Sequence, residues 1–177
     1  GASIVALSDS SSGVYEPKGI DVRGAMRWKK THGSLSGFCG RAIQPSGVLT
    51  LPVDIVVPAA LEGAITKSNA RKVRAHYVLE MANGPTTKDA DSILHKKGVV
   101  VVPDILANAG GVFVSYCEWF QNMHGEVWKK EKVFTELRSA MEKAAFEVYL
   151  VSHKKHISLR AAAYVVALEW LAREYKE

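Results

Sequence analysis

Four short apolar runs divide the first two thirds of this chain, and each gives way at once to small or polar residues. Ala2–Leu7 runs into Ser8-Asp9-Ser10-Ser11-Ser12-Gly13. Val53–Val57 runs into Pro58-Ala59-Ala60, and His76–Leu79 into Glu80-Met81-Ala82-Asn83-Gly84-Pro85. Val99–Val102 is pure valine and leads through Pro103 to Asn108. Helical segments are expected between these runs: Ile20–Thr31 with Asp21 near its start, Thr66–Val73, and Thr87–Lys97 with Thr87 as cap and Gly98 as stop. Strands alternating with helices predict an α/β fold, a Rossmann-like parallel sheet with flanking helices, in which Val99–Val102 is a buried strand. In such sheets ligands lie off the carboxyl ends of the strands. Four small or polar strand ends, at Asp9, Ala59/Ala60, Asn83 and Asn108, favour a ligand crevice over four independent turns.

The last third changes character and predicts a helical segment over 129–177. Lys129–His153 sets Val133, Leu137, Met141, Ala144 and Val148 along one stripe. Ser158 is a cap for Leu159–Lys176, with Ala162, Ala163, Val166 and Trp170 inward. Tyr15–Gly19 is a turn, and Gly33–Gly47 is rich in loop formers. At 177 residues, 47% hydrophobic and 23% charged, the whole chain suits one globular domain with a real core. No apolar run approaches the ~18 residues a membrane span requires. Cys39 and Cys117 lie far apart with no metal spacing, which fits a reduced, cytoplasmic setting. Of the histidines only His153 and His156 have ligand spacing, and they sit in a basic, exposed stretch, so no metal is assigned. The net charge of +5 is scattered over helix faces and makes no nucleic-acid patch, though it suits an anionic substrate or cofactor.

The stretch Pro103–Asn122, PDILANAGGVFVSYCEWFQN, carries the most chemistry. Two glycines in the first turn of a helix cost roughly 1 kcal/mol each against alanine, which points to a close approach to the backbone. Asn108, Val112 and Ser115 are spaced i, i+4, i+7 and share a helical face, with about 10 Å between the first and last. An amide, an apolar floor and a hydroxyl in that order suit a cofactor ring at one end and a small polar substrate beyond it. The plainer alternative is a helix packed through Val112, with Asn108 as N-cap and Ser115 as filler. Asp9 is likewise open to two readings. An acid ending a strand of a dinucleotide fold takes ribose hydroxyls, but SDSSSG also suits an Asx turn. The aromatics Tyr116, Trp119 and Phe120 fit core or subunit packing better than a cofactor box.

SDSSSGVYEPKGID (8–21), DIVVPAALEGAIT (54–66), ANGPTTKDAD (82–91) and PDILANAGGVFVSYCEW (103–119), in that order, resemble the cofactor domain of the glutamate dehydrogenase family, within the wider group of glutamate, leucine, phenylalanine and valine dehydrogenases. The resemblance covers nearly the whole chain. It implies NAD or NADP as cofactor, with Asp9 and Ser10 at the adenosine ribose. Ala60 and Asn83 would lie along the nucleotide and nicotinamide ribose, and Asn108 near the carboxamide. It implies Ser115 on the side-chain carboxylate of glutamate and Val112 against its methylenes. The implied reaction is reversible oxidative deamination of L-glutamate to 2-oxoglutarate and ammonia, in a homo-oligomer, a hexamer. Ser115 is a neutral donor and completes a carboxylate site without supplying its charge, so a lysine from elsewhere is needed.

Dehydrogenases for apolar amino acids look similar but lack the ANGPTT form and the serine-bearing helix. Met81 stands where the family usually has glycine, and the chain stops at Glu177, short of the family's usual end. No GxGxxG occurs. In the family that turn follows the central first strand, so the chain is expected to begin at the second strand. A missing central strand leaves open sheet edges, so either another chain or segment is expected to supply that strand or the chain is expected to be unstable alone. The substrate domain and its catalytic lysine and aspartate are also absent, so no catalytic residue is assigned to this chain. A non-catalytic nucleotide-binding or regulatory module is the alternative of a different class, and a dehydrogenase for apolar amino acids is a third.

Overall fold

The computed structural model describes residues 1–175, which form two compact units. The expected helix end at Lys176 lies outside the described residues.

The first unit comprises Gly1–Val56 with Lys72–Ala75. Its strands β1 (Ala6–Ser8), β2 (Gly13–Tyr15) and β3 (Arg41–Ile43) form an antiparallel sheet in that order. Helix α1 (Val22–His32) lies between β2 and β3, and a 3-10 segment (Pro45–Thr50) follows β3. Two expectations fail here. The first strand starts at Ala6, is not buried and pairs antiparallel, Leu7 opposite Val14. The cause is the Asp9–Ser12 loop, which turns the chain straight back, and a short reversal can join only antiparallel strands. β2 and β3 fall where a turn and a loop were expected. At three residues each they are too short to show alternation.

The second unit comprises Val57–Arg71 with His76–Glu177. Strand β4 (Ile55–Val56) closes the first unit, and Pro58, just beyond it, accepts the N–H groups of both Met81 and Ala82 through its carbonyl. β5 (Tyr77–Leu79) and β6 (Val100–Val102) pair in parallel, Val78 opposite Val101, with α2 (Lys88–Lys96) as their crossover. Thr87 caps α2 by accepting the Ala90 N–H at 3.4 Å. The helix expected over Thr66–Val73 is reduced to a 3-10 turn at Ala70–Lys72. Asn69 explains this: its Oδ1 accepts the Thr66 N–H and its Nδ2 donates to the Ala64 carbonyl. Such local side-chain bonds compete with helix formation.

Helices α3 (Asp104–Ala107), α4 (Ala109–His124), α5 (Lys130–Lys155) and α6 (Leu159–Glu174) complete the chain. Leu106, Val148, Ala162 and Ala163 are buried together, with Val102, Ala144, Val151, Ile157, Leu159 and Val166 packed around them. This cluster joins the end of β6 to α3, α5 and α6. The α5 stripe lies inward as expected, and Ser158 caps α6 by accepting the Ala161 N–H. Trp170 does not turn inward: it is 53% exposed, one turn past Val166, where the cluster ends. β6 is only partly buried. Val102 meets the cluster, whereas Val100 lies beyond it and is 41% exposed. Among the described residues no helix is long and apolar enough to cross a membrane.

Candidate functional site

In the second unit the chain leaves β5 through Glu80, Met81, Ala82 and Asn83, and leaves β6 through Pro103, Asp104 and α3. The two exits are tied together. Asp104 Oδ2 accepts the Gly84 N–H at 2.8 Å. Glu80 Oε2 accepts the Asp104 N–H at 2.9 Å. Gly84 has φ +55°, a left-handed conformation that glycine adopts without strain.

Asn108 sits between α3 and α4 with φ −101° and ψ 2°. It stands at the N-cap position of α4, as the plain reading has it, but its side chain makes no capping bond there. Instead Nδ2 donates to Asn83 Oδ1 at 2.8 Å and to the Ala82 carbonyl at 3.4 Å. A carbonyl cannot donate, so the Ala82 contact fixes which end of the Asn108 amide points inward. Both amide protons of Asn108 are thereby engaged. Its Oδ1 is left as an acceptor and the Asn83 NH2 as a donor, side by side at the strand ends.

α4 runs outward from this pair. Val112 is 75% exposed, so the helix is not packed through it. Ser115 is exposed and donates to the Gly111 carbonyl one turn back at 3.2 Å, which leaves its oxygen able to accept. The face is therefore open at Val112 and Ser115, with Asn108 partly buried at its start. The glycine pair divides into two roles. A Cβ on Gly110 would lie 3.2 Å from Leu137 Cδ1, so that glycine serves the contact of α4 with α5 and not a ligand. A Cβ on Gly111 would meet nothing within 4 Å, so Gly111 borders open space on the first turn. Ala59 and Ala60 are exposed after Pro58. Tyr116 and Trp119 are about half exposed, with ring centroids 5.9 Å apart, so neither is core.

Asp9 and Ser10 belong to the first unit. Asp9 Oδ1 accepts the N–H of Ser11 at 3.0 Å and of Ser12 at 2.9 Å, and both serine hydroxyls as well. Its Oδ2 accepts the Leu35 N–H at 2.9 Å and faces Lys29 Nζ at 3.5 Å. The Ser11 N–H foremost, then those of Ser12 and Leu35, hold the carboxyl far below its ordinary range. The Asx turn is thus formed, and a ribose would have to displace donors already in place. Ser10 is exposed beside it.

The pattern of the sequence did not single out the most connected group of the second unit. Arg160, in the first turn of α6, donates from Nη2 to Glu80 Oε1 at 2.7 Å, from Nε to Asp91 Oδ1 at 3.1 Å and from Nη1 to Asp104 Oδ1 at 3.2 Å. Glu80 has no exposed surface. Burial opposes the charge on Arg160, but the hydrogen bond and charge of Glu80, and then those of Asp91, outweigh it and raise its pKa above the ordinary value. A signal existed. Glu80 is an acid at the end of an apolar strand, and Arg160 is a cation at the end of a helix where the dipole disfavours one.

The glutamate/leucine/phenylalanine/valine dehydrogenase family model matches residues 1–177. The chain is 46% identical to a glutamate dehydrogenase of Thermotoga maritima over 100% of its own length and 43% of that protein. It is 44% identical to an NADP-specific glutamate dehydrogenase of Synechocystis over 97% of its length and 42% of that protein. The structure matches the hetero-hexameric glutamate dehydrogenase of Thermus thermophilus in its leucine-bound form, with a TM-score of 0.88 and 33% identity over 96% of this chain and 40% of that one. The chain therefore spans about two fifths of the length of these relatives.

Proposed function

The chain belongs to the glutamate/leucine/phenylalanine/valine dehydrogenase family, and from that premise we propose that it is the cofactor-binding part of an NAD(P)-dependent glutamate dehydrogenase. The parent protein interconverts L-glutamate with 2-oxoglutarate and ammonia in the cytoplasm, as a hexamer. Residues 1–177 are part of its dinucleotide domain, with 129–177 as a helical segment. The pyrophosphate turn, the substrate domain and the groups that move protons belong to the rest of that parent.

The observation that carries this reading is the orientation of the Asn108 amide. With its protons on Ala82 and Asn83, Asn108 offers an acceptor and Asn83 a donor. A nicotinamide carboxamide and its ribose carry the complementary donors and acceptors, so the pair fits the cofactor. Ala60 lies along the nucleotide, and Asp9 and Ser10 near the adenosine ribose, with Asp9 chiefly shaping its loop. When bound, the cofactor takes or gives the hydride. The chain's own residues hold it in place and present the open face of α4 to the substrate. Val112 packs against the substrate's methylenes and Ser115 donates to its distal carboxylate. The Gly111 carbonyl can release that hydroxyl, because water or another donor can replace it on so exposed a helix.

The test uses the full-length parent. NAD(P)H is titrated by the rise in nicotinamide fluorescence, and glutamate is assayed against leucine. Asn108→Leu is expected to weaken cofactor binding by about ten-fold or more, the value of one or two lost hydrogen bonds at an oriented site. Ser115→Leu is expected to shift preference from glutamate toward leucine. Unchanged binding in Asn108→Leu, or unchanged preference in Ser115→Leu, refutes the corresponding assignment.

A further inference from the structure

The geometry points to Arg160 as a positioning residue for the cofactor end of the site, acting through Asp104 and Gly84 on the Asn83–Asn108 pair. This inference rests on the reading that the pair receives the nicotinamide.

Arg160 places one donor on each of three carboxylates from three elements: Glu80 after β5, Asp91 in α2 and Asp104 at the start of α3. Two of the three are relays. Glu80 uses one oxygen for Arg160 and the other for the Asp104 N–H. Asp104 uses one oxygen for Arg160 and the other for the Gly84 N–H. The chain of contacts from the guanidinium therefore ends on the backbone next to Asn83, and from there on Asn108 at 2.8 Å. Glu80 alone would tie α6 to the exit of β5. The branch through Asp104 ties it also to α3 and, through the Gly84 N–H, to the loop that carries Asn83. The guanidinium reaches three separate acceptors from three different nitrogens, whereas an ammonium presents its three donors from a single atom. An ammonium on a flexible stem cannot reproduce this.

The experiment uses the full-length parent and four variants. Arg160→Gln removes the hub and Arg160→Lys keeps its charge without the fork. Asp104→Asn puts an NH2 against either Gly84 or Arg160. Val151→Ala loosens the hydrophobic cluster without touching the network. Arg160→Gln and Asp104→Asn are expected to raise the Kd for NAD(P)H by about ten-fold, with the KM for glutamate changed less than about two-fold. Arg160→Lys is expected to fall between wild type and Arg160→Gln. Val151→Ala is expected to lower the melting temperature while leaving the Kd at its wild-type value. Should Arg160→Gln fail to fold, Arg160→Lys and Asp104→Asn carry the same comparison. Wild-type cofactor affinity in Asp104→Asn and Arg160→Lys, alongside lost affinity in Asn108→Leu, overturns the inference and spares the site. Wild-type affinity in Asn108→Leu as well overturns both. A Kd that tracks melting temperature across all four variants, Val151→Ala included, shows a merely structural tie and also overturns the inference.

Discussion

Replacing Gly110 and Gly111 by alanine, one at a time, separates packing from ligand approach at adjacent residues. Both lie in the first turn of α4, where alanine stabilises a helix by roughly 0.5–1 kcal/mol over glycine. At Gly111 nothing opposes that gain, because the added methyl has no neighbour within 4 Å. At Gly110 the methyl would stand 3.2 Å from Leu137 Cδ1 and 3.8 Å from Met141 Sδ. The Leu137 methyl must then give by a few tenths of an ångström within the α4–α5 contact, at a cost of about 1–3 kcal/mol where it is packed. Gly110→Ala is therefore expected to be destabilising by up to about 2 kcal/mol and Gly111→Ala to be stabilising by about 0.5–1 kcal/mol. Urea unfolding followed by tryptophan fluorescence reads both. Ligand affinity is expected to run the other way for Gly111. A more stable protein with a methyl on the open turn should bind NAD(P)H or glutamate more weakly, by about ten-fold if the methyl displaces one contact. If Gly111→Ala binds both ligands as the wild type does, nothing approaches the start of α4, and the open face has another explanation.

Asp9→Asn tests the first unit. Its carboxyl has a folded pKa below the unfolded value of about 3.9, so it stabilises the fold above that pH and the stabilisation is lost as pH falls further. In thermal melts the gap between wild type and Asp9→Asn should be widest above about pH 4 and close as acid is added. A gap independent of pH refutes the role of the charge. Ser158→Ala should be destabilising by about 1 kcal/mol in urea unfolding through the lost α6 cap. No loss would mean that the Ala161 N–H finds water equally well.

Where the sequence was legible, one local rule dominated. Thr87 and Ser158 are good caps followed by helical periodicity, and both helices begin where those caps stand. The i, i+4, i+7 spacing of Asn108, Val112 and Ser115 needed only helix geometry, and the last two are exposed on α4. What escaped depended on competing or distant bonds. SDSSSG was recognised as a possible turn, but its consequence, an antiparallel hairpin in place of a parallel strand, depends on how tightly Asp9 closes the loop. Asn69 overrides a helix through two bonds to its own neighbours. The Gly110–Gly111 pair has two causes where the sequence suggests one, because the partner of Gly110 lies on another helix. Arg160 meets acids 56, 69 and 80 residues away, a separation that no periodicity encodes.

That last distance bears on how the protein is made. Glu80 leaves the ribosome eighty residues ahead of Arg160, the guanidinium that neutralises it. Until then its carboxylate must keep its hydration, because a dry and unpaired charge is among the costliest states a chain can adopt. The corner where β5 meets α3 is therefore expected to stay wet and loose until α6 has been made, and to close only when Arg160 arrives.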